Sequence, residues 1–148
     1  MRAATRCARR ASRRRGGDRE ARRVNTYTRA PSKEAPMAGV AEVFDLHAIK
    51  DFAADKRVRK MLFKTDQLWS EIACYEPGQS TAMHHHPKEE EAIFVLEGTA
   101  NMSVAGEEHV VPAGAIIKFP ANVPHDVRNL QADRCVIMFL KCNPKVLK

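Results

Sequence analysis

From residue 91 onward the chain is cut into short runs of alternating polarity by glycine and proline, and that punctuation leaves few folds open. Residues 91–96 and 99–105 flank Glu97-Gly98, which reads as a hairpin corner because glycine supplies the positive φ that tight hairpins need. Ala105-Gly106 and Pro112-Ala113-Gly114 mark two more corners, the latter with proline early and glycine last, as turns favour, and residues 107–111 form a strand between them. Strands joined this tightly pair antiparallel. Further strands are expected at 42–46, 58–64, 68–76, 80–86, 125–129 and 135–142, while helix signals are confined to a turn or two around 48–55. Many short strands with Gly and Pro corners predict an all-β sandwich or closed barrel.

Chemistry is concentrated in the same region. His84-His85-His86 is followed by Glu91 and, much later, by His125. Side chains alternate across a strand, so His84 and His86 are expected on one face and His85 on the other. Glu91 shares parity with Ile93 and Val95, and a carboxylate on an apolar face needs a partner, because burying an unpaired charge costs several kcal/mol or forces it to neutralise. A metal ion is such a partner, and His125 opens a further strand that supplies a third imidazole. Three nitrogens and one oxygen suit iron(II), manganese, nickel, cobalt, copper or zinc better than calcium or magnesium. Each ligating histidine must be neutral, so affinity is expected to fall as pH drops through roughly 6.5. The plain alternative is a solvated His tract that collects stray metal. Glu90 could replace Glu91 if the intervening turn were one residue shorter, although the Gly98 spacing and the Ile93 and Val95 parity favour Glu91.

Written out, the first string is Gly78, five residues, His84, one residue, His86, four residues, Glu91, six residues, Gly98. The second is Gly114, five residues, Pro120-Ala121-Asn122, two residues, His125, three residues, Asn129. Together they resemble the paired signature of the cupin family, in the small single-domain, conserved-barrel (cupin 2) form. Every position matches except Asn122, which stands where the family has glycine. Asparagine is among the few other residues that tolerate a left-handed backbone, so the turn is expected to survive. The resemblance implies a jelly-roll β-barrel of antiparallel strands, a divalent transition metal on His84, His86, Glu91 and His125 with two coordination positions open, and a homodimer. It also implies a choice of functions. One is a small-molecule metalloenzyme of dioxygenase, isomerase or lyase type. The other is a non-catalytic module that binds or senses a small ligand with the metal as anchor. No further acid, base or nucleophile stands at a diagnostic spacing, and Tyr75 qualifies only if it faces inward.

The charge is unevenly spread. Residues 1–36 hold eleven Arg and one Lys against three acids, a local balance of +9, which leaves −2 for the rest of a 148-residue chain of formal charge +7. The basic tail reads as a disordered extension ahead of a barrel domain at 37–148. It has three explanations: a start of translation at Met37, an organelle transit peptide, or a basic arm for nucleic acid. The last is least favoured, since no aromatics are interleaved and no DNA-binding motif is present. No apolar run reaches the roughly 20 residues needed to span a bilayer. Cys7, Cys74, Cys135 and Cys142 form no C-x-x-C pair, which fits reduced, mostly buried thiols in a cytoplasmic protein.

Several residues are expected in ordinary roles. His47 and His109 fall outside the spacing, and Glu89-Glu90 reads as a solvated turn. Asn129 looks like a residue that ties backbone, and Met83, Met102 and Met138 look like gap-fillers. Trp69, Glu71, Ala73 and Tyr75 alternate with Leu68, Ser70, Ile72 and Cys74, and alternation leaves open which set faces the interior. The near-continuous apolar run at 135–142 predicts burial on both faces, within the barrel and against a partner subunit.

Overall fold

A computed structural model describes residues 41–142; the basic extension, Met37 and Cys7 lie outside the described residues. Among the described residues, nine strands follow one short helix, α1 (Leu46–Ile49): β1 (Val58–Lys64), β2 (Leu68–Tyr75), β3 (Ser80–His84), β4 (Glu91–Glu97), β5 (Thr99–Val104), β6 (Glu107–Pro112), β7 (Ile116–Phe119), β8 (His125–Arg128) and β9 (Cys135–Cys142). They form a five-stranded sheet of order β1-β2-β9-β4-β7 and a four-stranded sheet of order β3-β8-β5-β6. Every pairing is antiparallel. The two antiparallel sheets meet the expectation of an all-β sandwich or barrel drawn from the corners, and of a jelly roll implied by the resemblance. The strand expected at 42–46 is absent: residues 42–45 are irregular and Leu46 opens α1, whose N-cap Asp45 accepts hydrogen bonds from the backbone of His47 and Ala48. An unanticipated strand, β7, closes the edge of the larger sheet against β4.

The turns follow their chemistry. Ala105 and Gly106 both take positive φ, at 54° and 84°, the pattern of a two-residue hairpin turn matched to strand twist. Asn122 sits at φ 58° and donates its backbone N–H to His86 O at 2.7 Å, so the turn is kept and is tied to the histidine run. Gly98 has a second reason to be glycine, because a Cβ there would lie 2.2 Å from the Arg134 carbonyl oxygen.

The main core lies between the sheets and includes Ala73, Tyr75, Ile93, Val95, Met102, Phe119, Val127, Ile137 and Phe139. A second cluster, Leu62, Ile72, Cys74 and Val136, lies on the opposite face of the larger sheet, where Phe44, Leu46, Ile49 and Phe52 pack against it. The cover that the apolar β9 run demanded is therefore supplied, over this cluster, by the chain's own segment ahead of β1. Met83 is 53% exposed and is not a gap-filler, whereas Met102 is fully buried. Asn129 ties backbone as expected: its amide nitrogen donates to Asp133 O at 2.8 Å, and its side-chain oxygen accepts from Gln131 N at 3.2 Å.

Candidate metal centre

The smaller sheet brings the first two imidazoles together. β3 pairs with β8 so that His84 lies directly across from His125. That register depends on an irregularity between Thr81 and His84. In a regular ladder the partner of Thr81 is Val127, and two residues further on Met83 would face His125. The extra residue instead places His84 there and leaves Met83 outside. Bulges re-aim side chains in this way beside functional sites. His86 follows just beyond the end of β3, and its ring centroid lies 5.0 Å from that of His84 and 5.3 Å from that of His125. The ligand nitrogens of His84, His86 and His125 all fall within 4.8 Å of one another. His85 is exposed, as alternation predicted.

Glu91 reaches this trio from the larger sheet. Its Oε2 is 3.6 Å from His86 Nε2 and 3.8 Å from His125 Nε2, and the residue is only 6% exposed. Glu90, the alternative, is exposed and pairs with Lys118 Nζ at 3.0 Å. Glu89 is 8% exposed, which corrects the expectation that both neighbours form a solvated turn. The strand register sets Glu91 in a row across the sheet: Trp69 on β2, Lys141 on β9, Glu91 on β4 and Phe119 on β7.

Hydrogen bonds orient the rings. His125 Nδ1 lies 2.9 Å from Val123 O and His84 Nδ1 lies 2.8 Å from Ala82 O, contacts a neutral imidazole makes as donor, leaving Nε2 with a lone pair. His125 Nε2 is buried and has no hydrogen-bond partner. Phe119 stacks on the same ring at 4.4 Å between centroids. Burial, helped by Lys141 and the neighbouring imidazoles, holds the His86 pKa down to about 4, and burial likewise depresses that of His125. Burial pushes Glu91 up to about 7, partly offset by the positive charge of Lys141.

Two ligands on one ion, each roughly 2 Å from it, stand about 3 Å apart or a little more. Separations of 3.6 and 3.8 Å leave room for an ion with small inward movements. The donor set therefore fits a divalent transition ion: two imidazoles whose outer nitrogens are engaged by backbone carbonyls, one orphaned inner nitrogen on His125, and a buried carboxyl group beside them. The cluster opens on a cavity of about 260 Å³ whose walls include Trp69, Tyr75, Ile93, Phe119, Val127 and Phe139. The alternation left open on β2 is thus resolved in favour of the Trp69, Ala73 and Tyr75 face, and Cys74 packs on the other side. Tyr75 does face inward, with its hydroxyl 2.8 Å from Thr81 Oγ1. Arg57, Arg59 and Lys141 also line the cavity. Sequence reasoning missed all three, because Arg57 precedes β1 and Lys141 lies at the end of β9, both remote from the histidine strings.

Comparison with known proteins agrees with the geometry. The family model for the cupin domain, Cupin_2, matches residues 71–141. A protein of Streptomyces cyaneus named polyketide synthase CurC is 28% identical over 68 residues, which are 46% of this chain and 44% of that protein. The matched segment thus spans less than half of that curated relative. Among solved structures, the Thermus thermophilus protein TT1209 superposes with a TM-score of 0.66 at 24% identity, covering 69% of this chain and 97% of the other. A cupin 2 conserved barrel domain protein from Leptotrichia buccalis gives 0.61 at 25% identity, covering 68% and 47%.

Proposed function

Because residues 71–141 of this chain carry a cupin domain, we propose that the protein is a metal-dependent enzyme acting on a small molecule, of dioxygenase, isomerase or lyase type. A divalent transition ion would be held by His84, His86, His125 and Glu91. The observation that carries this reading is the buried, unpartnered Nε2 of His125 in the wall of the cavity. A buried acceptor left without a donor costs stability, and a ligated cation removes that cost.

When bound, the ion supplies a Lewis acid or redox centre with positions left for a ligand. The chain's own residues supply the rest. Val123 O and Ala82 O hold two rings in the tautomer that presents Nε2 inward. Phe119 keeps water from one side of His125. Trp69, Ile93, Val127 and Phe139 give the cavity apolar walls for a carbon skeleton, and its volume suits a ligand smaller than a typical drug.

One observation favours the second reading, a binding or sensing module anchored on the metal. Tyr75, the phenol in the cavity wall, already shares its hydrogen bond with Thr81, so among the described residues no uncommitted phenol faces the cluster. The two readings separate in one experiment. Tag-free full chain should contain close to one transition ion per chain by elemental analysis. The iron(II) form is then given dioxygen with small diols, thiols, diketones and organic acids while oxygen consumption is followed. Stoichiometric metal without turnover in any class selects the binding module; absence of stoichiometric metal removes both readings.

A homodimer belongs to the same proposal. Met61 and Leu68 on β1 and β2 stay exposed, and a second copy would cover such positions. Sedimentation of the full chain at twice the monomer mass is the expected result.

A further inference from the structure

The cavity beside the histidines carries more positive charge than its own residues neutralise. Among its walls, the acid is Glu91 and the cations are Arg57, Arg59 and Lys141. Arg59 is satisfied, since its Nε donates to Glu71 Oε2 at 2.6 Å. The other two are not. Lys141 is only 7% exposed, and among the described residues no carboxylate lies within ion-pair distance of it. Its Nζ rests instead on the rings of Trp69 at 4.5 Å and Phe139 at 5.5 Å. Aromatic faces attract an ammonium but leave its N–H donors without acceptors. Arg57 Nε is buried and has no hydrogen-bond partner, while the guanidinium keeps only a long contact of 3.4 Å from Nη1 to Ser80 O. Among the described residues the buried, unpartnered side-chain polar atoms are this Nε and His125 Nε2, and both residues line this one cavity.

Glu91 does not remove the imbalance. It faces Lys141 across the β4–β9 pair without an ion-pair contact, and in the proposed metal-bound site its charge is engaged by the ion. A metal cation, the ammonium of a largely buried lysine and a guanidinium with an unpartnered Nε then border one small space, which selects a negatively charged occupant. The apolar walls decide its character, because a bare inorganic anion would leave Ile93, Val127 and Phe119 without contacts. Resting on the function proposed above, we infer that the small molecule taken by this site is an organic carboxylate, whose charged group is received by Lys141 and Arg57 beside the His84–His86–His125 cluster. Lys141 and Arg57 are thus substrate-binding residues.

The chain's single tryptophan is Trp69, in contact with Lys141, so its fluorescence reports occupancy directly. Full-length protein, with nickel(II) and without metal, is titrated with succinate, with its neutral diamide, and with inorganic phosphate. The expected result is saturable succinate binding, with the diamide and phosphate weaker by about tenfold or more. Lys141→Met and Arg57→Gln should each weaken succinate by about tenfold, and Lys141→Arg and Arg57→Lys should recover most of the loss. Nickel uptake should stay at the wild-type stoichiometry in all four, which also shows that they fold. The inference is overturned if the diamide or phosphate binds as tightly as succinate, or if the folded Lys141→Met and Arg57→Gln proteins bind succinate like wild type. If wild type takes up no stoichiometric nickel yet the succinate pattern holds in metal-free protein, the anion site stands and the metal reading alone falls.

Discussion

Each histidine of the triplet has a different neighbourhood, and that difference is testable. His84 and His86 contribute nitrogens to the cluster with His125, and His85 points to solvent. His84→Ala, His86→Ala and His125→Ala should each abolish stoichiometric metal by elemental analysis, whereas His85→Ala and His109→Ala should leave it nearly intact. Equal loss at all five positions would mean adventitious binding to the tract. Protonation is where the structure changes the expectation most. Sequence alone placed the competing proton on histidine near pH 6.5, but burial holds His86 neutral down to about 4 and keeps a proton on Glu91 up to about 7. Metal uptake near pH 6 should therefore release close to one proton, mostly from Glu91, and almost none at pH 8. Calorimetry in buffers of different ionisation enthalpy measures this, and Glu91→Gln should remove most of the release. The same shifts set the stability of the metal-free protein. Glu91, raised from 4.5, contributes stability that is fully present below about pH 4.5 and is lost as pH rises through about 7. His86, lowered from 6.5, contributes stability that is present above that value and lost as pH falls through about 4. The two oppose each other between pH 4.5 and 6.5. Removing the carboxylate leaves only the rising component, so chelator-treated Glu91→Gln should gain on wild type by on the order of 3 kcal/mol between pH 4.5 and 8 in urea unfolding.

Among the elements, the corners and one bulge carry the fold's specificity. The β4–β5 corner is the most constrained, because Gly98 combines φ of 71° with the close approach of Arg134 O. Gly98→Ala should cost at least about 2 kcal/mol in urea unfolding, through both backbone strain and the clash. Asn122→Gly should change stability by less than about 1 kcal/mol, since asparagine already accepts the left-handed conformation there. A several-fold change in metal affinity from that substitution would show the turn to be tuning His86. The irregularity in β3 is a different kind of feature. Thr81 and His84 have opposite parity, yet both line the cavity, so simple alternation carried from Thr81 would have turned His84 outward. Parity within the histidine run itself was legible; parity across the bulge was not, because a bulge is set by pairing with β8.

At the level of the whole molecule, the segment ahead of β1 completes the barrel. Phe44 packs on Phe63 at 5.9 Å between centroids, Arg134 lies over Phe52 at 4.2 Å, and Gln79 donates to Ala53 O at 2.8 Å. Deleting residues 1–52 should uncover Ile72, Cys74 and Val136, lower stability by several kcal/mol at about 25 cal/mol per Å² of apolar surface, and make Cys74 react with a thiol reagent. Unchanged Cys74 labelling would mean the segment is not a required cover. Local backbone chemistry and spacing along the chain were enough for the corners, the antiparallel pairing, most of the strands, the identity of the clustered histidines and the preference for Glu91, but not for β7 or for the irregular course of residues 42–45. Which face of β2 lines the cavity, what covers β9, and the presence of Arg57 and Lys141 beside the histidines were set by the folded arrangement. These follow from strand order and register between segments far apart in the chain, and alternation within one strand holds no information about which strand will lie beside it.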